Sequence, residues 1–177
     1  AEEFPNLRTL DIRAGQWEPG LAQTAVRAWP QLNAVALREL AHLLSAQDFR
    51  ALASLPRLRW LELRGSRVLE LPASALNGMT LDYLGLDWLD LRVWPNWLDA
   101  LALERIASLS LVGNQLTEVP RLILEDPEPA VRTLRIAARG NQFGYQACFD
   151  MVMAERFHGR YSFDLDLPPG MAVRSDA

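Results

Sequence analysis

The chain has 177 residues and a formal net charge of -4, and its sequence pI near 5.2 speaks against a nucleic acid or an anionic membrane as the main partner, since both require a positive field. Half of the residues are hydrophobic and 23% are charged, which supplies too many apolar side chains for a disordered chain. No apolar run approaches the roughly 18 residues of a membrane-spanning helix, the first residues do not read as a signal peptide, and a soluble protein is expected.

In chain order, six segments share one pattern of apolar residues. They are Leu7-x-x-Leu10-x-Ile12, Leu32-x-x-Val35-x-Leu37, Leu58-x-x-Leu61-x-Leu63, Leu81-x-x-Leu84-x-Leu86, Ile106-x-x-Leu109-x-Leu111 and Val131-x-x-Leu134-x-Ile136. Their first residues are 25, 26, 23, 25 and 25 positions apart. The last two apolar residues of each segment alternate with period two, as in a half-buried strand. Six strands are therefore expected, near 7–12, 32–37, 58–63, 81–86, 106–111 and 131–136. A unit of this size cannot bury its apolar edge alone, so the units must stack. The stacking accounts for the 32 leucines. Between strands, Leu21, Ala22, Ala25, Val26 and Trp29 are spaced as one helix face, as are Phe49, Leu52 and Leu55, and Pro30 and Pro56 end these segments. Shorter helical turns are expected after Pro72 and Pro120. Trp94 and Trp97, which flank Pro95, are expected in the core on the side of the return segments.

Beyond the sixth strand, Phe149, Val152, Met153 and Phe157 predict an amphipathic helix starting near Tyr145. Tyr161, Phe163, Leu165 and Leu167 then alternate with polar residues, which predicts a closing strand that ends at Pro168-Pro169-Gly170. The expected organisation is 1–143 as repeats, 144–170 as a C-terminal helix–strand cap and 171–177 as a tail or linker. Nothing before Leu7 and Leu10 would shield them, so the chain is expected to be a piece of a larger protein.

These segments resemble the leucine-rich repeat family, most fully at Ile106 to Pro120, IASLSLVGNQLTEVP. The resemblance implies an α/β solenoid with a parallel sheet on its concave face. Departures fall at the asparagine position, where the six copies carry Gly15, Leu40, Ser66, Leu89, Asn114 and Arg139. Six irregular repeats are therefore expected, with Leu40 and Leu89 turned into the core. The irregularity and the helical cap resemble the target-recognition segment of bacterial secreted effectors or toxins, including the ubiquitin-ligase type, which implies delivery to a host cytoplasm.

Residues alternating with the buried ones would form the exposed face of the sheet. Trp60 and Tyr83 are neighbours in one column of that face and Trp88 lies near its edge, a grouping typical of interface anchors. Arg13, Arg38 and Arg64 would stack on successive strands, a like-charge row to be relieved by Asp11, Glu62 or an acidic partner, and Asp87 follows on the fourth strand. The three columns of that face are expected to end in Thr133, Arg135 and Ala137 respectively. Packing of the aromatics on each other and pairing of the arginines with Asp11 and Glu62 would explain the same residues as sheet stabilisation alone.

Catalytic chemistry is not expected. The two histidines, His42 and His158, lie in no nucleophile motif, and neither a phosphate loop nor zinc spacing occurs. Cys148-Phe149-Asp150 matches the short CxD sequence of bacterial ubiquitin ligases, yet Cys148 reads better as a small apolar residue of the cap helix. The expectation is a monomeric module that binds a protein, possessing neither cofactor nor metal. A free-standing inhibitor or immunity-type protein is the alternative, and ubiquitin transfer at Cys148 is a weaker one.

Overall fold

A computed structural model describes residues 4, 6–15, 18, 20–40, 44–65, 75–125 and 133–171. Expectations for Ser66, for the turn after Pro72, for His42, for Val131 and for the tail beyond Met171 fall outside them. The fold is α/β. Among the described residues, seven strands form a single sheet in sequence order, every neighbouring pair parallel. They are β1 (Thr9–Arg13), β2 (Ala34–Arg38), β3 (Trp60–Arg64), β4 (Tyr83–Gly85), β5 (Ser108–Ser110), β6 (Leu134–Ala137) and β7 (Tyr161–Asp164). The first five begin two residues after the leading leucine or isoleucine of their segment.

Alternation along each strand directs one set of side chains inward. Leu10, Val35, Leu61, Leu84, Leu109, Ile136 and Phe163 occupy one register. The middle members are sealed from solvent, while Leu10 at one end and Phe163 at the other are only partly buried. Each sealed leucine contributes about 2 kcal/mol of apolar transfer, so the centre of the stack is its most stable part. Leu40 is buried and Leu89 packs partly against the core, as expected.

The return segments hold α1 (Leu21–Ala28), α2 (Ala46–Ala53), α3 (Ala100–Leu103), α4 (Arg121–Leu124) and α5 (Tyr145–His158). α2 opens with a capping box in which Ser45 and Asp48 satisfy each other's backbone N–H groups. α3 and α4 are single turns. Trp97 is buried and tilts against Phe49 with ring centroids 6.0 Å apart, and the half-buried Trp94 donates its indole N–H to Leu98 O. Both tryptophans thus meet the expectation of core packing.

A second periodicity is visible only in the backbone. Ala14, Glu39, Gly65, Trp88, Gly113 and Gly140 all have positive φ, between 50° and 71°. The first five each donate their N–H to the carbonyl of the next unit, at Arg38, Arg64, Asp87, Val112 and Arg139 respectively. The chain therefore makes the same left-handed corner at each of six strand ends.

This corner corrects the sixth register. Ser108 pairs with Arg135, Leu109 with Ile136 and Ser110 with Ala137, two residues later than the leucine pattern suggests. Arg139 does not hold the asparagine position; Asn141 does. Asn114 donates to Leu86 O at 2.8 Å and Leu111 O at 2.9 Å, and accepts from Leu89 N and Leu91 N. Asn141 repeats the arrangement by donating to Leu111 O at 2.8 Å and Ala138 O at 2.9 Å and accepting from Leu116 N. A slip of two keeps every side chain on its face, so apolar alternation cannot detect it.

Two further expectations change at the C-terminal end. β7 is parallel to β6 in the continuing register, so the predicted cap is a seventh rung of the same sheet. α5 exists where expected, but its buried face is Cys148, Met151 and Ala154, while Phe149 and Phe157 are 42% and 69% exposed. Cys148 and Ala154, with Met151 between them, face inward where α5 packs on α4 and β7. The aromatic stripe that reads as core lies outward.

Candidate binding face on the sheet

The face opposite the leucine core carries three side-chain columns. In the first, Thr9, Ala34, Trp60 and Tyr83 follow one another across β1 to β4. Across β5 and β6 that column runs through Ser108 to Arg135, not Thr133. The second contains Asp11, Ala36, Glu62, Gly85, Ser110 and Ala137. The third is Arg13, Arg38 and Arg64, followed at the same level by Asp87, Val112 and Arg139.

Trp60 and Tyr83 stack with ring centroids 4.0 Å apart and planes 20° from parallel. Gly85 makes room for this pair. A Cβ there would lie 2.8 Å from Tyr83 Cε1 and 3.1 Å from Glu62 Cγ, so both side chains rest directly on its backbone. Trp60 stays 43% exposed. Burial, and after it the charge of Asp87, raises the Tyr83 hydroxyl above its ordinary pKa, while a hydrogen bond with Ser110 acts in the opposite direction.

Trp88 is the most exposed aromatic of this group, at 56%. It occupies a left-handed corner with φ 58° and lays its indole on Gly113, where a Cβ would come within 2.4 Å of the ring. Its position borders the face on the β5 side, and it makes no ring contact with the Trp60–Tyr83 pair among the described residues.

The arginine row resolves around Arg38. Its Nε and Nη2 donate to the two oxygens of Glu62 at 3.0 and 2.9 Å, and its Nη1 donates to Asp11 Oδ2 at 3.2 Å. The Glu62 hydrogen bond holds the guanidinium firmly in its charged form. Glu62 is buried, at 8% exposure, and Arg38 supplies its compensation. Arg13 and Arg64 are exposed on either side. Asp87 turns toward β5, accepting from Ser110 Oγ at 2.6 Å and Val112 N at 2.9 Å.

The structure thus joins Trp60 with Tyr83 and Arg38 with Glu62, and places Arg13, Arg64, Asp87 and Trp88 on the same surface. Sequence reasoning missed Gly85 and Gly113 as seats for the aromatics, Ser110 as the polar partner, and Ala34 as the small residue beside Trp60. Glycines two residues after Tyr83 and one unit after Trp88 were the available signals.

Cys148 is fully buried within α5. Burial, with Asp166 adding to it, raises its thiol pKa, which disfavours the nucleophilic thiolate. Among the described residues no group of three or more His, Cys, Asp or Glu side chains could hold a metal ion, and no helix is long and apolar enough to cross a membrane. Compared with known proteins, the chain matches no family model and no curated protein sequence.

Proposed function

We propose that this chain is a leucine-rich-repeat-type solenoid that recognises a protein through the exposed face of its sheet. Six equivalent left-handed corners and the paired Asn114 and Asn141 brackets support the repeat reading. The observation that carries the binding reading is the stacked Trp60–Tyr83 pair. Its Trp60 remains 43% exposed, and large aromatics held rigid on strands bind at low entropic cost.

The proposed role is target recognition, or restraint of a partner domain, within a bacterial effector or toxin delivered to a host cell. This extension rests on family analogy alone. The buried thiol of Cys148 weighs against ubiquitin transfer by this chain. The test compares capture of a partner by the wild type with capture by the Trp60→Ala/Tyr83→Ala variant. A loss of more than about 2 kcal/mol with the fold intact is expected for anchor residues, and unchanged binding moves the site elsewhere.

A further inference from the structure

The two ends of the sheet are finished differently. At the last strand, Arg160 and Asp164 turn their carbonyls to β6, so Phe163, of the opposite parity, presents its backbone outward. Glu155 of α5 covers it: Oε2 accepts from Phe163 N at 3.3 Å and Oε1 accepts from Ser162 Oγ at 3.2 Å. A carboxylate laid along a sheet edge keeps another strand from adding there.

β1, at the other end, pairs with β2 alone among the described residues. Arg8 O accepts from Ala34 N and Ala14 N donates to Arg38 O, so even-numbered residues bond to β2 while Thr9, Asp11 and Arg13 turn their N–H and C=O groups away. No described residue meets those groups. The core is unfinished at the same place. Leu10 and Ile12 are only partly buried, whereas their partners in register, Val35 and Leu37, are sealed. Phe4 does not close the gap, since it is 60% exposed.

The side chains along this edge define what fits it. An antiparallel neighbour sets its own outward-turned residues directly opposite Thr9, Asp11 and Arg13. For a second copy related by a two-fold axis, the register is fixed by the residue that faces itself. Centring on Asp11 or on Arg13 opposes like charges, and centring on Leu10 leaves both charges unmatched. Centring on Ile12 sets Asp11 of each copy opposite Arg13 of the other on the exposed face, and Ile12 against Ile12 on the core face. One contact thus supplies two unlike pairs and covers the open end of the core, as an isologous dimer requires.

We infer that β1 pairs antiparallel with β1 of a second copy, centred on Ile12, to give a two-fold dimer with one continuous sheet. The covered edge of β7 opposes the head-to-tail alternative, in which β7 of one copy would receive β1 of the next. Because the axis stands perpendicular to the sheet, both Trp60–Tyr83 pairs lie on the same side of the joined sheet. The inference does not depend on what that face binds, and it departs from the monomer expected from the sequence.

Sedimentation equilibrium of the full chain tests the dimer. A mass twice the 19.9 kDa of the chain is expected. Arg13→Asp sets a carboxylate opposite Asp11 in both pairs and should weaken dimerisation roughly tenfold or more. Arg13 holds no ion pair among the described residues and lies beside Arg38 in register, so this change spares the fold. Asp11→Arg should dimerise as poorly with itself, yet an equimolar mixture of the two variants should recover a heterodimer, because every opposed pair is then unlike. A mass of 19.9 kDa up to about 0.1 mM, assemblies that grow beyond two copies, a dimer indifferent to Arg13→Asp, or a mixture of folded variants that stays monomeric each overturns the inference. So does a dimer lost with Phe149→Asp/Phe157→Asp but kept with Arg13→Asp, which would place the contact on α5.

Discussion

Replacing Asn141 by alanine separates the register found in the structure from the one that the leucine pattern suggests. The side chain donates to Leu111 O and Ala138 O and accepts from Leu116 N. Three hydrogen bonds at about 1 kcal/mol net each, with part-buried partners left unmet, give an expected loss of about 3 kcal/mol. Asn114, only 3% exposed, makes four such bonds, so Asn114→Ala should cost about 4 kcal/mol on the same scale. Arg139 holds Asp164 in an ion pair whose side chains are 60% and 54% exposed. Solvent screens that pair, and Arg139→Ala should leave stability almost unchanged. Urea denaturation followed by circular dichroism measures all three, with the shift expected in the midpoint and not in the slope. Leu111 O accepts from both asparagines, so the double variant should lose less than the sum of the singles. An Asn141→Ala loss below about 1 kcal/mol, less than a single ordinary hydrogen bond with its desolvation, or a loss no larger than that of Arg139→Ala, would refute the register.

Other consequences are equally direct. Gly113→Ala forces a side chain into φ 70° and into the Trp88 ring; it should cost about 1–3 kcal/mol and increase acrylamide quenching of tryptophan fluorescence. Unaltered quenching would contradict the seating of Trp88. The fold prefers protonated Tyr83, because burial raises its pKa; the associated stabilisation is complete below about pH 10, the unfolded value, and is lost as pH rises through the higher folded value. In a phenolate absorbance titration, the component removed by Tyr83→Phe should titrate above about pH 10, and a component at or below that value would contradict the account. Cys148 should react with a thiol reagent only after urea unfolding, and rapid labelling of the native chain would contradict its burial.

Much of the fold was legible because stacking imposes the same apolar demand on every unit. Five strands and the helices α1 and α2 follow from the leucine spacing and from Pro30 and Pro56. The sixth strand was misplaced because Leu134 and Ile136 satisfy the pattern in either register. The decisive match lies outside the strand, in Gly113-Asn114-Gln115 against Gly140-Asn141-Gln142. α5 was read with its face rotated because Phe149, Val152, Met153 and Phe157 suggest burial more loudly than Cys148 and Ala154 do. The packing of α5 on α4 and β7 instead buries Cys148, Met151 and Ala154.

The candidate face was legible in part. Trp60, Tyr83 and the arginine row follow from counting alternate residues across successive units. Which arginine becomes a hub depends on side-chain reach across three strands, and Arg38 bonds an acid on each flanking strand, Asp11 and Glu62.

Hydrogen–deuterium exchange of the chain with and without its captured partner tests the central claim most directly. Slower exchange is predicted in peptides covering Ala34–Arg38, Trp60–Arg64 and Tyr83–Gly85, with α1 and α2 unchanged. Protection confined to the helical return segments, with these strands unaffected, would contradict recognition through the sheet face.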